Sequence, residues 1–253
     1  MKYTLLEVVQ RVLSDMDSDE VSSITDTTEA LQVARHAESA YLDIATVANI
    51  PERYGLFELD ASGDPAKPVL MYRPSTVDEI LWVKYNKETA TQTADDFQYV
   101  QYVDPTEFLN RMHSLNPTDS DIDTFDHTLN GSSITFFYQN NKAPDFYTSF
   151  DDYMLVFDSF DSGVDTTLQK TKTMCYGTLT ASFTMSDSFT PAFDDDYHHL
   201  WINETRALAF AITKQTPNQK AERSARRGWI KTIRSKQDVG NSTQVSYPYY
   251  GRR

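Results

Sequence analysis

Apolar residues recur three and four apart at both ends of this chain, and two apart in the long stretch between, so helical and sheet layers must coexist in its fold. Thr4-Leu5-Leu6-Glu7 reads as a capping box, with Tyr3 and Val8 placed to staple it, and Leu5, Val9, Val12 and Met16 follow at helical spacing. A second helix is expected from near Asp26 to about Ile50, where Pro51 stops it. Along it Ala30, Ala34, Ala37, Tyr41, Ile44 and Ala48 form a seam of mostly small side chains. Another helix can approach such a seam closely, from the same chain or from a second copy.

From about residue 54 to 185 the runs become short, aromatic and β-branched: "YGLFEL", "EILWVKYN", "FQYVQYV", "SITFFYQ" and "DYMLVFDSF". Leu81, Val83 and Tyr85 are expected on one strand face, and Ile134, Phe136 and Tyr138 on another. "DASGDPAKP", "NKETATQTADD" and "SLNPTDSDIDT" read as connections, and "PTEFLNRM" as a short helix between strands. The helical period then returns in "FDDDYHHLWINETRALAFAITKQ", whose first turn carries the acids that a helix dipole favours. Thr216 and Pro217 are expected to open a last helix that ends near Lys236, leaving an extended tail. The expected class is α+β. Residues 1–52 and 192–237 supply a helical bundle, residues 53–191 an inserted antiparallel β-sandwich or small barrel, and residues 238–253 the tail.

Charge divides along the same line. The chain carries a formal −14, yet from Lys214 onward ten Lys/Arg face only Glu222 and Asp238, a net +8 that leaves −22 on the preceding 213 residues. At about 100° per residue, Lys220, Arg223, Arg227, Lys231 and Arg234 fall within a sector roughly 80° wide. Ala221, Ala225, Trp229 and Ile233 lie opposite them. Such a helix docks on its own protein through the Trp229 side and presents its cations outward. An acidic body resists polyanions while a basic end attracts anionic partners. The narrow, Ala-rich apolar face argues against a membrane surface. The lone Cys175 excludes an internal disulfide, and no apolar run is long enough to cross a bilayer. The opening residues lack the apolar core of a signal peptide, so a soluble protein made in a reducing compartment is expected.

Candidate chemistry is sparse. Asp195, His198 and His199 share a helix face that could seat a metal, but no third protein ligand is identifiable. Asp151, Asp152, Asp158, Asp161 and Asp165 could flank a glycosidic bond or bind calcium, though Asp beside strands is ordinary turn chemistry. GxSxG, P-loop and GxGxxG patterns are absent, and neither an enzyme nor a cofactor is expected.

The segments "LLEVVQRVLSDMDSDEVSSITDTTEALQVARHAESAYLDI", "FYTSFDDYMLVFDSFDSGVDTTLQKTKT" and "FTPAFDDDYHHLWINETRALAFAITKQTPNQKAERSARR" resemble head-to-tail adaptor proteins of short-tailed bacteriophages, also called connector or tail tubular A-type proteins. The resemblance covers most of the chain in order. It implies a structural virion protein, made in the host cytoplasm, that forms a homo-oligomeric ring of twelve between the portal protein and the tail nozzle. DNA would pass through without specific binding. It also implies that the terminal segment docks on the portal. Here that segment holds Lys220, Arg223, Arg227, Lys231, Arg234, Tyr247, Tyr249, Tyr250, Arg252 and Arg253. Two other readings stand beside it: a DNA-binding module gripping phosphates through the basic helix, and an Asp-based glycan hydrolase.

Overall fold

The computed structural model describes residues 2–47, 50, 53–87, 95–129 and 131–242, the side chains of 196 and 234–242 excepted. The fold is mixed α+β, in two units: one from the two ends of the chain, 1–52 and 181–253, the other from 53–180.

The first unit is helical. Helix α1 (Leu5–Asp15) begins with the expected box: the Glu7 N–H donates to Thr4 Oγ1 at 3.3 Å and the Thr4 N–H to Glu7 Oε2 at 2.9 Å. Helix α2 (Thr28–Val47) starts two residues later than expected. Thr27 Oγ1 accepts from the Ala30 N–H, while Asp26 is taken by the Ser22 and Ser23 N–H groups of the preceding turn. Ala30, Ala34, Ala37, Tyr41 and Ile44 are all buried in this unit's core, and Ala48 lies outside the described residues. The seam serves a neighbour within the chain. From α4 (Asp195–Ile212) the buried Trp201 indole N–H donates to the Ala37 carbonyl at 2.7 Å, deeper than it could reach past larger side chains.

Residues 181–191, expected with the strands, belong to the helical unit. The Leu5 N–H donates to the Phe189 carbonyl at 2.8 Å, and Asp187 Oδ1 accepts from the Ile24 N–H at 2.9 Å. Phe183 and Phe189, with centroids 4.4 Å apart, both pack on Tyr41. Free donors at a helix N-terminus recruited this segment, a pull that apolar periodicity does not register. Helix α5 (Gln219–Ser242) is capped by Asn218, whose Oδ1 accepts from the Ala221 N–H, not by Thr216. It also runs on past Lys236, so residues 238–242 are helix where a tail was expected.

In the second unit the strands are β1 (Tyr54–Phe57), β2 (Asp60–Ala61), β3 (Leu70–Tyr72), β4 (Val77–Asn86), β5 (Phe97–Tyr102), β6 (Ile122–Leu129), β7 (Ser132–Gln139), β8 (Phe146–Ser149), β9 (Met154–Phe157) and β10 (Thr173–Leu179). Helix α3 (Pro105–His113) lies between β5 and β6, where "PTEFLNRM" predicts it. Eight strands form one sheet in the order β1-β10-β4-β5-β8-β9-β3-β2, and β6 and β7 form a separate hairpin. Among the described residues the paired strands are antiparallel except β5 and β8, which corrects the expectation of a purely antiparallel array. Strand β6 falls partly in "SLNPTDSDIDT", read from sequence as a connection. Its acids point away from the core while Phe125 is buried beside Phe136 and Tyr138.

Leu81 does not share a face with Val83 and Tyr85. Trp82 pairs with Tyr176 and Ile80 with Gly177, so Leu81 is an extra residue in a β-bulge and stands 49% exposed, while its two partners are buried. Gly177 is required there, because a Cβ on it would sit 2.0 Å from the Glu79 carbonyl oxygen. Gly177→Ala is expected to lower the unfolding free energy by about 3 kcal/mol. Urea denaturation monitored by tryptophan fluorescence measures it, and a change below about 0.5 kcal/mol would mean that the strands separate freely at the bulge.

Candidate functional site: a cationic helix face

Helix α5 is strongly two-sided, and α4 decides which side is buried. Ala221, Ala225 and Thr232 are 2–4% exposed, and a Cβ on Gly228 would lie 2.8 Å from Leu200 Cδ1. These four positions form a strip of small side chains on which α4 closes. Trp229 sits at its margin, half-buried, its indole N–H donating to Glu204 Oε2 at 3.0 Å. Ile233, expected on the buried side, is 47% exposed. The strip is centred toward Gly228 and Thr232, which turns Ile233 away from α4 by roughly a quarter turn.

Lys220, Arg223, Arg227 and Lys231 are exposed, and Arg226 is exposed on another flank of the helix. The Arg234 side chain and Tyr247, Tyr249, Tyr250, Arg252 and Arg253 lie outside the described residues. Beside Lys231 a cleft of about 330 Å³ opens between the two helices, with Tyr197, His199 and Leu200 on one wall and Ser224 and Gly228 on the other.

A second surface has a different chemistry. On the sheet face turned away from the core, Tyr54, Tyr176 and Trp82 stack across β1, β10 and β4 at 6.2 and 5.7 Å, and Tyr99 of β5 meets Trp82 edge-on at 5.9 Å. The Lys84 ammonium lies 4.5 Å from the Tyr99 ring centroid. Leu56 and Tyr99 remain 64% and 66% exposed. Period-two alternation in "EILWVKYN" and "FQYVQYV" held the signal for this patch. Which side would stay uncovered did not follow from it.

Most of the other candidates are held in local structure, while Asp152 lines a separate cleft in the second unit with Arg73 and Tyr102. His198 is fully buried between the Phe193 and Trp201 rings, whereas His199 faces the cleft, so the pair diverges. Among the described residues no three His, Cys, Asp or Glu side chains are grouped to hold a metal ion. Asp151 accepts from the Tyr153 and Met154 N–H groups, Asp158 from those of Asp145 and Phe146, and Asp161 from that of Gly163, while Asp165 pairs with Lys172. Burial raises the Asp158 pKa despite its two donors. It also pushes the Cys175 thiol up to about 12, far from a reactive thiolate. Among the described residues no helix is long and apolar enough to cross a membrane. No known protein family matches the sequence, and no curated protein is similar to it.

Burial holds the His198 pKa below its ordinary 6.5, and burial does the same to His36, whose Nε2 lies 3.3 Å from Thr213 Oγ1. Once the pH drops below that value, the unfolded chain takes up protons that the folded chain refuses. Stability is therefore full above about pH 6.5 and falls with acidification, by at most about 1.4 kcal/mol per pH unit for each imidazole. His198→Phe is expected to flatten this slope in denaturation measured between about pH 7.5 and 5. An unchanged slope would assign the acid sensitivity to other groups.

Proposed function

We propose that this chain is a head-to-tail adaptor of a short-tailed bacteriophage, a structural subunit at the head–tail junction of the virion. Its role there is mechanical, not catalytic: a ring of copies continues the DNA channel from the portal into the tail nozzle. The helical unit corresponds to the adaptor's bundle, and residues 53–180 to its β-rich insertion, here assigned as a sandwich or small barrel.

The observation that carries this reading is the presentation of α5. A chain with a formal −14 spends its densest cationic segment on a helix anchored by small residues, with Lys220, Arg223, Arg227 and Lys231 exposed. The resemblance assigns that segment to portal docking, and the Tyr- and Arg-rich end that follows has the composition of an interface anchor. A joint also needs a second contact of its own. The aromatic sheet face, uncovered and largely apolar, suits the nozzle or a neighbouring copy. The −22 on the rest of the chain favours sliding of DNA over gripping it.

Truncation after Ser242 is expected to leave the melting temperature within about 2 °C of the full chain while attachment to portal rings is lost. Arg223→Glu with Arg227→Glu is expected to weaken attachment about tenfold or more at physiological salt. Sedimentation with purified portals, followed by electron microscopy of the complexes, reads both. Undiminished attachment of both variants would overturn the docking role of α5. A gel shift of the isolated full chain should show weak, non-sequence-specific duplex affinity; tight binding abolished by the same double variant would favour the DNA-binding module.

For the sheet face, Leu56→Glu with Tyr99→Glu should lower the melting temperature by only a few degrees, about the worth of the Tyr99 contacts with Trp82 and Lys84, and should prevent assembly beyond the portal-bound state. Complete head–tail joints formed by that variant would remove this face from the assembly.

A further inference from the structure

Granting α5 the docking role proposed above, we infer that the α4–α5 cleft is the socket for an acidic segment of the partner, one that inserts a single bulky apolar side chain between the helices. The cleft has two chemically distinct parts. Its apolar part, the floor, is the Leu200 side chain against the bare backbone of Gly228, with Asn203 and Thr232 beside them. Its α5 wall is cationic. Lys231 lines the opening, with Arg227 about one turn away in the same sector of the helix and Lys220 about three turns away, all three exposed. Tyr197, His199 and Ser224 add hydroxyl and imidazole groups at the rim, where Asp194 places a carboxylate.

A volume of about 330 Å³ accommodates a leucine or an aromatic side chain but not a folded element. The rim groups, Lys231 and Arg227 match carboxylates flanking that side chain on the same segment. A polyanion without an apolar anchor, such as duplex DNA, would use the cations and leave the floor wet. An apolar helix without acids would fill the floor and set an uncharged surface against Lys231 and Arg227. An acidic segment with one apolar anchor satisfies both parts.

The probe for this chemistry is a fluorescein-labelled peptide with four glutamates around one central leucine, titrated with the full-length protein by fluorescence anisotropy. Binding is expected in the micromolar to millimolar range, falling with salt. Replacing the peptide leucine by alanine should weaken it about tenfold. In the protein, Lys231→Glu and His199→Glu should each weaken it about tenfold, whereas Arg226→Glu, the same charge reversal as at Lys231 but on a side of α5 turned from the cleft, should change it less than about threefold.

Equal loss from all three protein variants, indifference to the peptide leucine, or no binding at all would overturn the socket. Thermal melts of the variants, all at exposed positions, confirm that folding is intact. Failure here is separable from failure of the adaptor reading. Portal attachment lost on truncation after Ser242 but untouched by Lys231→Glu and His199→Glu would sink the socket alone.

Discussion

Close approach of helices through small side chains is the constraint on which the exposed cationic face depends. The Trp201 indole reaches the Ala37 carbonyl only because the α2 seam is built from alanines, and that contact holds α4 on α2. Helix α5 then closes on α4 through Ala221, Ala225, Gly228 and Thr232, where a single methyl at Gly228 would collide with Leu200. A helix this polar has little apolar area with which to anchor itself. Close backbone approach supplies dispersion contacts in its place. The cations are then left on the only side not occupied by α4.

The two units offer surfaces that respond to different conditions. Attraction to the α5 face is electrostatic and falls with ionic strength, since exposed charges are screened beyond about 8 Å in physiological salt. The aromatic sheet face gains by removing apolar area from water and is little affected by salt. Its ring faces are mostly occupied by one another, Tyr54 on Tyr176 and Tyr176 on Trp82, so it offers ring edges and hydroxyls to a flat protein surface more readily than stacking platforms to bases. A subunit that joins two different neighbours benefits from such a difference, because each contact can be made or broken under conditions that spare the other.

Much of the fold was legible where a local rule acts alone. The capping box at Thr4 and Glu7, the alanine seam of α2, the short helix at "PTEFLNRM" and the two-sided character of α5 follow from spacing and side-chain type, and each is found in the structure. The reading failed where a long-range partner outvoted the local pattern. Asp119, Asp121 and Asp123 give the stretch running into β6 the look of a connection, whereas the strand pairs with β7 through backbone groups and buries Phe125. Leu81 left its expected face because Gly177, nearly a hundred residues away in sequence, permits a bulge.

The candidate site divides in the same way. Where the cations of α5 stand relative to one another is set by helix geometry and could be read from residue numbers. Which flank of α5 would be buried could not, since that depends on the position of Leu200 on another helix; so Ile233 was misplaced and the cleft beside Lys231 went unseen. The sequence by itself determined the elements, their chemical sides and the segregation of charge, because these depend on backbone periodicity and composition. Only the tertiary structure decided the strand order, the bulges, the recruitment of residues 181–191 to the N-terminus of α1, and the void above Gly228. Those depend on steric fit between residues far apart in the chain, which no local pattern encodes.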